Sequence, residues 1–397
     1  MAVKNIFKFI TSLRLTVVCL AVGILLVFFG TLAQVNEGLY NAQHRWFRSF
    51  FVWWSPAGAN WKIPMFPGGY LVGTVLLLNL IAAHINRFQL SWKKLGIHII
   101  HGGIIVLLAG QLATDMFSKE MQMSFAEGES RNYSVDPRAS ELVFMTDASA
   151  SDQDKVVAIP DALMKVGSEI RHPELPVTVR VKQWFVNSDV RQRAPMVDTN
   201  PPPATAGHGP NVTLEPRPET KKDDERNLPA AIVELTSPEG SLGTWLLHAK
   251  LRDQEVRVGD KTWRMSFRFE REYHPFTVRL EKTTHEIYRG TGSPDRPEDP
   301  GIPKNFQSRV RIENPARRES REVDIYMNNP LRYEGLTFFQ YQMGRDELER
   351  SRGTSTLQVV RNPSWITPYA GCVLVGGGMM VQFLSHLVGF ISKRRRS

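Results

Sequence analysis

Four runs of nearly unbroken apolar residues interrupt an otherwise mixed chain: Leu13 to Leu32, Gly69 to Ile85, Gly96 to Ala113 and Ile366 to Ile391. Each is close to the ~20 residues that an α-helix needs to cross bilayer hydrocarbon. Between the third and fourth runs the period changes. Val177, Val179 and Val181, then Phe267 and Phe269, then Phe276, Val278 and Leu280, then Leu336 and Phe338 followed by Gln340 and Tyr341, alternate with polar neighbours. That is the two-residue period of half-buried strands. Breakers such as Gly259-Asp260 and Pro300-Gly301 separate these runs, so the pattern predicts a sandwich or an open barrel of short strands. No internal repeat is visible. The expected fold is a membrane protein: an α-helical transmembrane bundle of four spans with a large mainly-β extracytoplasmic domain. Its parts are residues 1–113 with three transmembrane helices, residues 114–363 as the β-rich domain, and residues 364–397 as the last helix and a basic tail. Two stretches read as exposed loops: a Pro-rich one near 195–228, including Pro201-Pro202-Pro203 and the charged cluster Lys221 to Arg226, and a second from Gly290 to Lys304. The first has the composition of a segment that is disordered or ordered only by a partner.

Charge sets the expected orientation, because short cytoplasmic loops hold an excess of Lys and Arg. Lys4, Lys8 and Arg14 precede the first run, Arg87, Lys93 and Lys94 fill the turn between the second and third, and Lys393 to Arg396 close the chain. Both termini are therefore expected in the cytoplasm, with Gln34 to Phe66 and Thr114 to Pro363 outside. In a bacterium this is a multi-pass protein of the cell (inner) membrane with its large domain periplasmic. The first run lacks a small-residue cleavage site and keeps the charge pattern in register, which argues for a span over a secretory leader. The net charge of +9 over 397 residues comes partly from the basic turn and tail. It reads as membrane topology and attraction to the lipid bilayer, with no nucleic acid partner expected. Cys19 and Cys372 both fall within apolar runs, so no disulfide framework is available outside. The chain also has no CxxCH haem-attachment motif.

Histidine carries the candidate chemistry. His84 lies near the end of the second run, His98 and His101 near the start of the third, and His386 near the end of the fourth, all toward one leaflet. His101 is five residues past Gly96 and His386 seven before Lys393, which predicts similar depths of roughly 8 to 11 Å at the helical rise. His84 and His98 are shallower and within reach of the interface. An ionisable ring inside hydrocarbon requires a partner, and neutral imidazole is a common axial ligand of haem iron. Hydrogen bonding between helices is the alternative for each of the four. Gly102-Gly103 and Gly376-Gly377-Gly378 permit close approach of helices or of a flat ligand. The remaining histidines, His172, His208, His248, His274 and His285, show no ligand spacing and read as surface or structural residues.

Two ends of the chain carry a family resemblance. Ser12-Leu13-Arg14-Leu15-Thr16, then Trp92-Lys93-Lys94-Leu95-Gly96 followed by His101-Gly102, and Gly110 beyond it, resemble the ResB family, also called CcsB. Asn329 to Gly335 (NPLRYEG), Phe338-Phe339-Gln340-Tyr341, and Leu357 to Pro363 (LQVVRNP) ahead of a Gly-rich last run resemble the segment by which that family returns to the membrane. The resemblance covers about half of the chain.

It implies a subunit of the system II cytochrome c synthase, a factor in cytochrome c-type biogenesis and cytochrome complex assembly. In that family a multi-span partner, CcsA or ResC, works with ResB to take haem from the cytoplasmic side and present it outside to apocytochrome c. The expected cofactor is haem b, transported or transiently bound. His101 matches the family's axial ligand in the third span, and His386, His98 and His84 complete the candidate haem-binding set. Lys93, Lys94 and Arg87 sit where propionates could pair, or are ordinary positive-inside charges. No catalytic residue is expected in this chain, which would be at most an incomplete part of the ligating complex. Trp53-Trp54 is a lone pair, unlike the partner's tryptophan-rich loop, and reads as an interfacial anchor. Two other readings stand beside this one: a b-type electron-transfer protein using His101 and His386 as a permanent pair, and a scaffold or sensor without haem.

Overall fold

The computed structural model describes residues 7–56, 61–86, 88–89, 91–92, 94–147, 154–194, 198, 200–220, 226–288, 303–345 and 352–394. Among the charges and loops expected above, Lys4, Arg87, Lys93, Arg395, Arg396, residues 221–225 and residues 289–302 lie outside these. The chain divides into two units, residues 1–119 with 362–397 forming most of the first, and 120–220 with 224–361 the second.

The first unit contains helices α1 (Leu13–Glu37), α2 (Gly69–Asn86), α3 (Leu95–Phe117) and α4 (Thr367–Arg394), all long and apolar enough to cross a membrane. They extend the expected runs by up to five residues, because polar residues at the ends continue the helical turn. Local chemistry sets the limits of α1. The Ser12 hydroxyl accepts from the Leu15 N–H at 3.2 Å, capping its start, and Gly38 at φ 76° closes its end by donating to the Gln34 carbonyl. Between α1 and α2 the chain makes a π-helical turn, Gln43–Phe47, and a hairpin of β1 (Phe51–Trp54) and β2 (Ile63–Pro67). Leu26 of α1, Trp46 and Val52 form a small core there.

Glycine decides how α3 and α4 meet. Gly96, Gly103 and Gly110 recur every seven residues on α3, and Gly371 and Gly378 do so on α4. A Cβ on Gly96 would stand 2.7 Å from the Gly378 carbonyl oxygen and the Gln382 Cβ. One on Gly103 would stand 2.9 Å from the Val375 nitrogen and 3.0 Å from the Gly371 carbonyl oxygen. The helices therefore run antiparallel with their backbones in contact, a packing that bare glycine permits.

The second unit contains β3 (Lys119–Ala126), β4 (Ser130–Asp147), β5 (Asp154–Pro160), β6 (Glu169–Ile170), β7 (Thr178–Phe185) and β8 (Ser188–Gln192). It continues through β9 (Val212–Pro216), β10 (Ala230–Ser237), β11 (Gly240–His248), β12 (Gln254–Val258) and β13 (Lys261–Ile287). Five more strands complete it: β14 (Pro303–Asn314), β15 (Glu319–Tyr326), β16 (Leu331–Tyr333), β17 (Leu336–Arg345) and β18 (Gly353–Arg361). Two cores result. In one, the sheet β11-β10-β7-β6 faces β5, β4, β13 and β12 over Phe144, Val179, Val233, Leu247 and Met265. In the other, β3, the second half of β13, and β14 to β18 enclose Met121, Leu280, Ile312, Phe338 and Leu357, with β15 returning against β16 and β17. Fully burying a side chain of this size contributes ~1.5–3 kcal/mol. The long strand β13 serves both cores, with Met265 and Phe267 in the first and Phe276, Val278 and Leu280 in the second, and its register against β4 slips beside Pro137 and Pro275. Proline cannot donate to the ladder, so the pairing breaks at these points as β13 passes from one core into the other.

The Pro-rich stretch is more ordered than its composition predicts. β9 within it pairs antiparallel with β8, just ahead of it, and Ala204 is buried with Ile232 and Leu246. Gly207 at φ 59° lies so close to the Trp245 ring that a Cβ would sit 2.6 Å from it. Small residues let the backbone press onto a large ring, which composition alone does not reveal.

Candidate functional site

Three of the four candidate histidines converge. The His84 ring, near the end of α2, lies 5.0 Å from that of His98 and 5.8 Å from that of His101, centroid to centroid and nearly perpendicular to both. Phe88 closes one side, 4.8 Å from His98 and 5.9 Å from His84. The helical period explains the placement. Two and five residues past Gly96 correspond to about 200° and 140° around α3, so His98 and His101 face away from the glycine seam. The short turn between α2 and α3 then returns His84 to the same side.

Their hydrogen bonding differs. His98 Nε2 donates to the Gln89 carbonyl at 3.0 Å, which leaves Nδ1 as the unprotonated nitrogen. That atom is buried with no partner among the described residues. His101 makes no hydrogen bond to a described residue, and its ring meets that of His84 edge to face. A neutral imidazole whose ring nitrogens are not engaged by carbonyls is the kind of donor that can serve as one axial ligand of a metalloporphyrin. Among the described residues no three His, Cys, Asp or Glu side chains form a closed metal cage. The Lys94 ammonium donates to the Gln89 side chain at the same end.

His386 is placed elsewhere. It accepts a hydrogen bond from Gln382 Nε2 at 2.7 Å and its side chain is exposed. The seam fixes its level: with Gly96 against Gln382 and Gly103 against Val375, His101 lies level with Gly377. His386 is nine residues further along α4, about 14 Å at the helical rise. The equal depth expected for His101 and His386 is thus corrected by the register. Counting inward from basic flanks assumed that both helices start at one plane, and α4 extends beyond α3.

Two polar groups in the helical unit escaped the sequence reading. Asn79, wholly buried in α2, accepts from Thr16 Oγ1 at 2.6 Å and donates to the carbonyls of Ile10 and Ser12, at 2.5 and 3.1 Å. At the opposite end of the bundle, Asp115 pairs with Arg48 at 2.5 Å and accepts from the Tyr70 hydroxyl. A lone Asn within one apolar run and a lone Asp two residues past the end of another are the signals the sequence offers.

In the β unit, His248 and His274 are buried, as structural residues should be. His248 Nδ1 accepts from the Lys250 N–H at 3.1 Å and Nε2 donates to the Ser188 carbonyl. His274 pairs with the Ser134 hydroxyl at 2.7 Å and stacks on Phe276. Burial pushes both rings below the usual imidazole range. Ser134 is fully enclosed, so this Ser-His pair has no access to a substrate.

Four helices long and apolar enough to cross a membrane, carrying one large mainly-β unit between the third and fourth, define the class of protein. The comparison with known families bears on the β unit. The model of the ResB-like family matches residues 252–354, from β12 to the start of β18. The match supports the ResB (CcsB) assignment, with which a role in cytochrome c biogenesis is consistent. It takes in Asn329 to Gly335 and Phe338 to Tyr341; the motifs in the helices lie outside it. No curated protein matches the chain.

Proposed function

We propose that this chain is a membrane-spanning ResB-like subunit of a system II cytochrome c synthase. It handles haem b at the cytoplasmic ends of α2 and α3 and acts with a CcsA/ResC-type partner in delivery to apocytochrome c. His101 is the axial ligand in this reading, and His84 and His98 hold its ring in place. The observation that carries the proposal is the meeting of His84 and His101 from two helices, at 5.8 Å, with no hydrogen bond from His101 to any described residue. When bound, the haem iron supplies the redox centre and the macrocycle the apolar surface. The chain's own residues bind and orient it. The His386 level does not suit a shared iron with His101, which favours an opposite ligand from the partner and disfavours a permanent His101–His386 pair. The bundle is oriented with both termini cytoplasmic and the β unit periplasmic.

The test is purification of the chain with its multi-span partner, followed by a haem stain and absorbance spectrum. His101→Ala is expected to lose most of the haem, with external imidazole restoring part of it, and His386→Ala to retain it. An unchanged spectrum in His101→Ala removes that residue as ligand, and equal losses in both variants point to an internal pair. A chain that holds stoichiometric haem alone and oxidises quinol is an electron carrier instead.

A further inference from the structure

The hairpin β1–β2 presents an unusual surface for a segment outside the helices. Trp53, Trp54 and Trp61 are 49%, 43% and 55% exposed, and Ile63 and Met65 are 45% and 51% exposed. Its opposite side is fixed. Val52 is fully buried against Leu26 and Trp46, and Phe66 and Trp46 lie 6.2 Å from Phe29 of α1, centroid to centroid.

Those contacts set the level of the hairpin along α1. Leu26, Phe29 and Ala33 are 13, 16 and 20 residues past Leu13, or about 20, 24 and 30 Å along the helix. Hydrocarbon is about 30 Å thick. The hairpin therefore stands beside the outer third of the span and the headgroup layer above it. It is also level with Val27 and Phe28, which are themselves 56% exposed and face lipid wherever α1 spans.

We infer that the β1–β2 hairpin is seated in the outer-leaflet interface of the bilayer, with Trp53, Trp54 and Trp61 at headgroup depth and Lys62 directed at lipid phosphates. Indole suits that layer because its ring is apolar and its N–H still finds water or an ester oxygen. A two-stranded sheet has open edges that hydrocarbon forbids, which limits the hairpin to the wet boundary. Part of this edge is satisfied by the protein: Arg45 of the preceding π-helical turn donates to the Trp53 carbonyl at 3.4 Å and the Ser55 hydroxyl to that of Trp61 at 3.0 Å. The inference rests on the reading that α1 spans the membrane, and the test separates the two.

The full chain, with Cys19 and Cys372 replaced by alanine, is reconstituted in nanodiscs of phosphatidylcholine and phosphatidylglycerol. A nitroxide is attached in turn at Trp54→Cys, Met65→Cys, Phe28→Cys and Arg171→Cys. Collision with oxygen, which concentrates in lipid, is compared with collision with a water-soluble nickel chelate. The two hairpin labels are expected to give oxygen-to-nickel ratios several-fold above that at Arg171 and below that at Phe28. Ratios equal to the Arg171 value, with Phe28 lipid-like, place the hairpin in water and overturn the inference alone. Labels shielded from both reagents show a protein covering, which also overturns it. A water-like Phe28 label removes the spanning reading and the inference with it.

Discussion

Replacing Gly103 by alanine tests the α3–α4 seam against an internal control. The new Cβ would lie 2.9 Å from the Val375 nitrogen and 3.0 Å from the Gly371 carbonyl oxygen. Both are backbone atoms of a helix, so neither can swing aside, and ordinary contact requires the helices to separate by about 0.5–1 Å. Overpacking of this kind costs about 1–3 kcal/mol. Alanine also returns up to about 1 kcal/mol as the better helix former. Gly102→Ala has that gain without the clash, because nothing lies within 4 Å of its added carbon. The difference between the two variants thus isolates the packing, and Gly103→Ala should be less stable than Gly102→Ala by about 1–3 kcal/mol. The assay is SDS titration of the full chain in mixed micelles, read from the separation of spin labels on α3 and α4. Equal stability of the two variants, or a more stable Gly103→Ala, would refute backbone contact along the seam.

Other changes have equally definite outcomes. Asn79→Leu should lower the stability of the helical unit by about 1–3 kcal/mol, because two carbonyls and the Thr16 hydroxyl lose their partner; the same titration measures it. His248 and His274 both have folded-state values below the unfolded one, so the unfolded chain takes up protons first as pH falls. The β unit should be at full strength above the unfolded imidazole value and weaken as pH drops below about 6.5, by at most about 1.4 kcal/mol per pH unit for each ring. His248→Gln should flatten that slope in urea melts between pH 7 and 5. Gly207→Ala should destabilise the β unit by about 1–3 kcal/mol, from a strained positive φ and the Trp245 clash together, seen as a lower urea midpoint.

The architecture was legible where one period dominates. Four apolar runs became α1 to α4, and the alternation around Val179, Val278 and Phe338 became strands with those residues buried. Gly102-Gly103 and Gly376 to Gly378 marked a close approach, yet only Gly103 and Gly378 face the partner helix, with Gly371 and Gly96 completing the seam. Which member of a glycine run faces the neighbour depends on helix rotation, which a local pattern does not encode. The same holds for the histidines. His98 and His101 share a face by spacing alone, whereas the arrival of His84 and the offset of His386 depend on how α2 and α4 dock against α3. Asn79 was overlooked because the surrounding run is apolar enough to mask one amide. In the Pro-rich stretch, breakers signal the absence of regular structure, not the absence of packing, so the burial of Ala204 is not legible from composition.

The strand that carries Pro275 has a consequence for how the β unit can come apart. It supplies side chains to both hydrophobic centres, so neither centre can melt while the other keeps its full complement of walls. Unfolding should proceed in a single cooperative step. A truncation that removes this strand therefore should not leave a self-sufficient half, and screens for a minimal soluble fragment would have to retain the whole of 120–361.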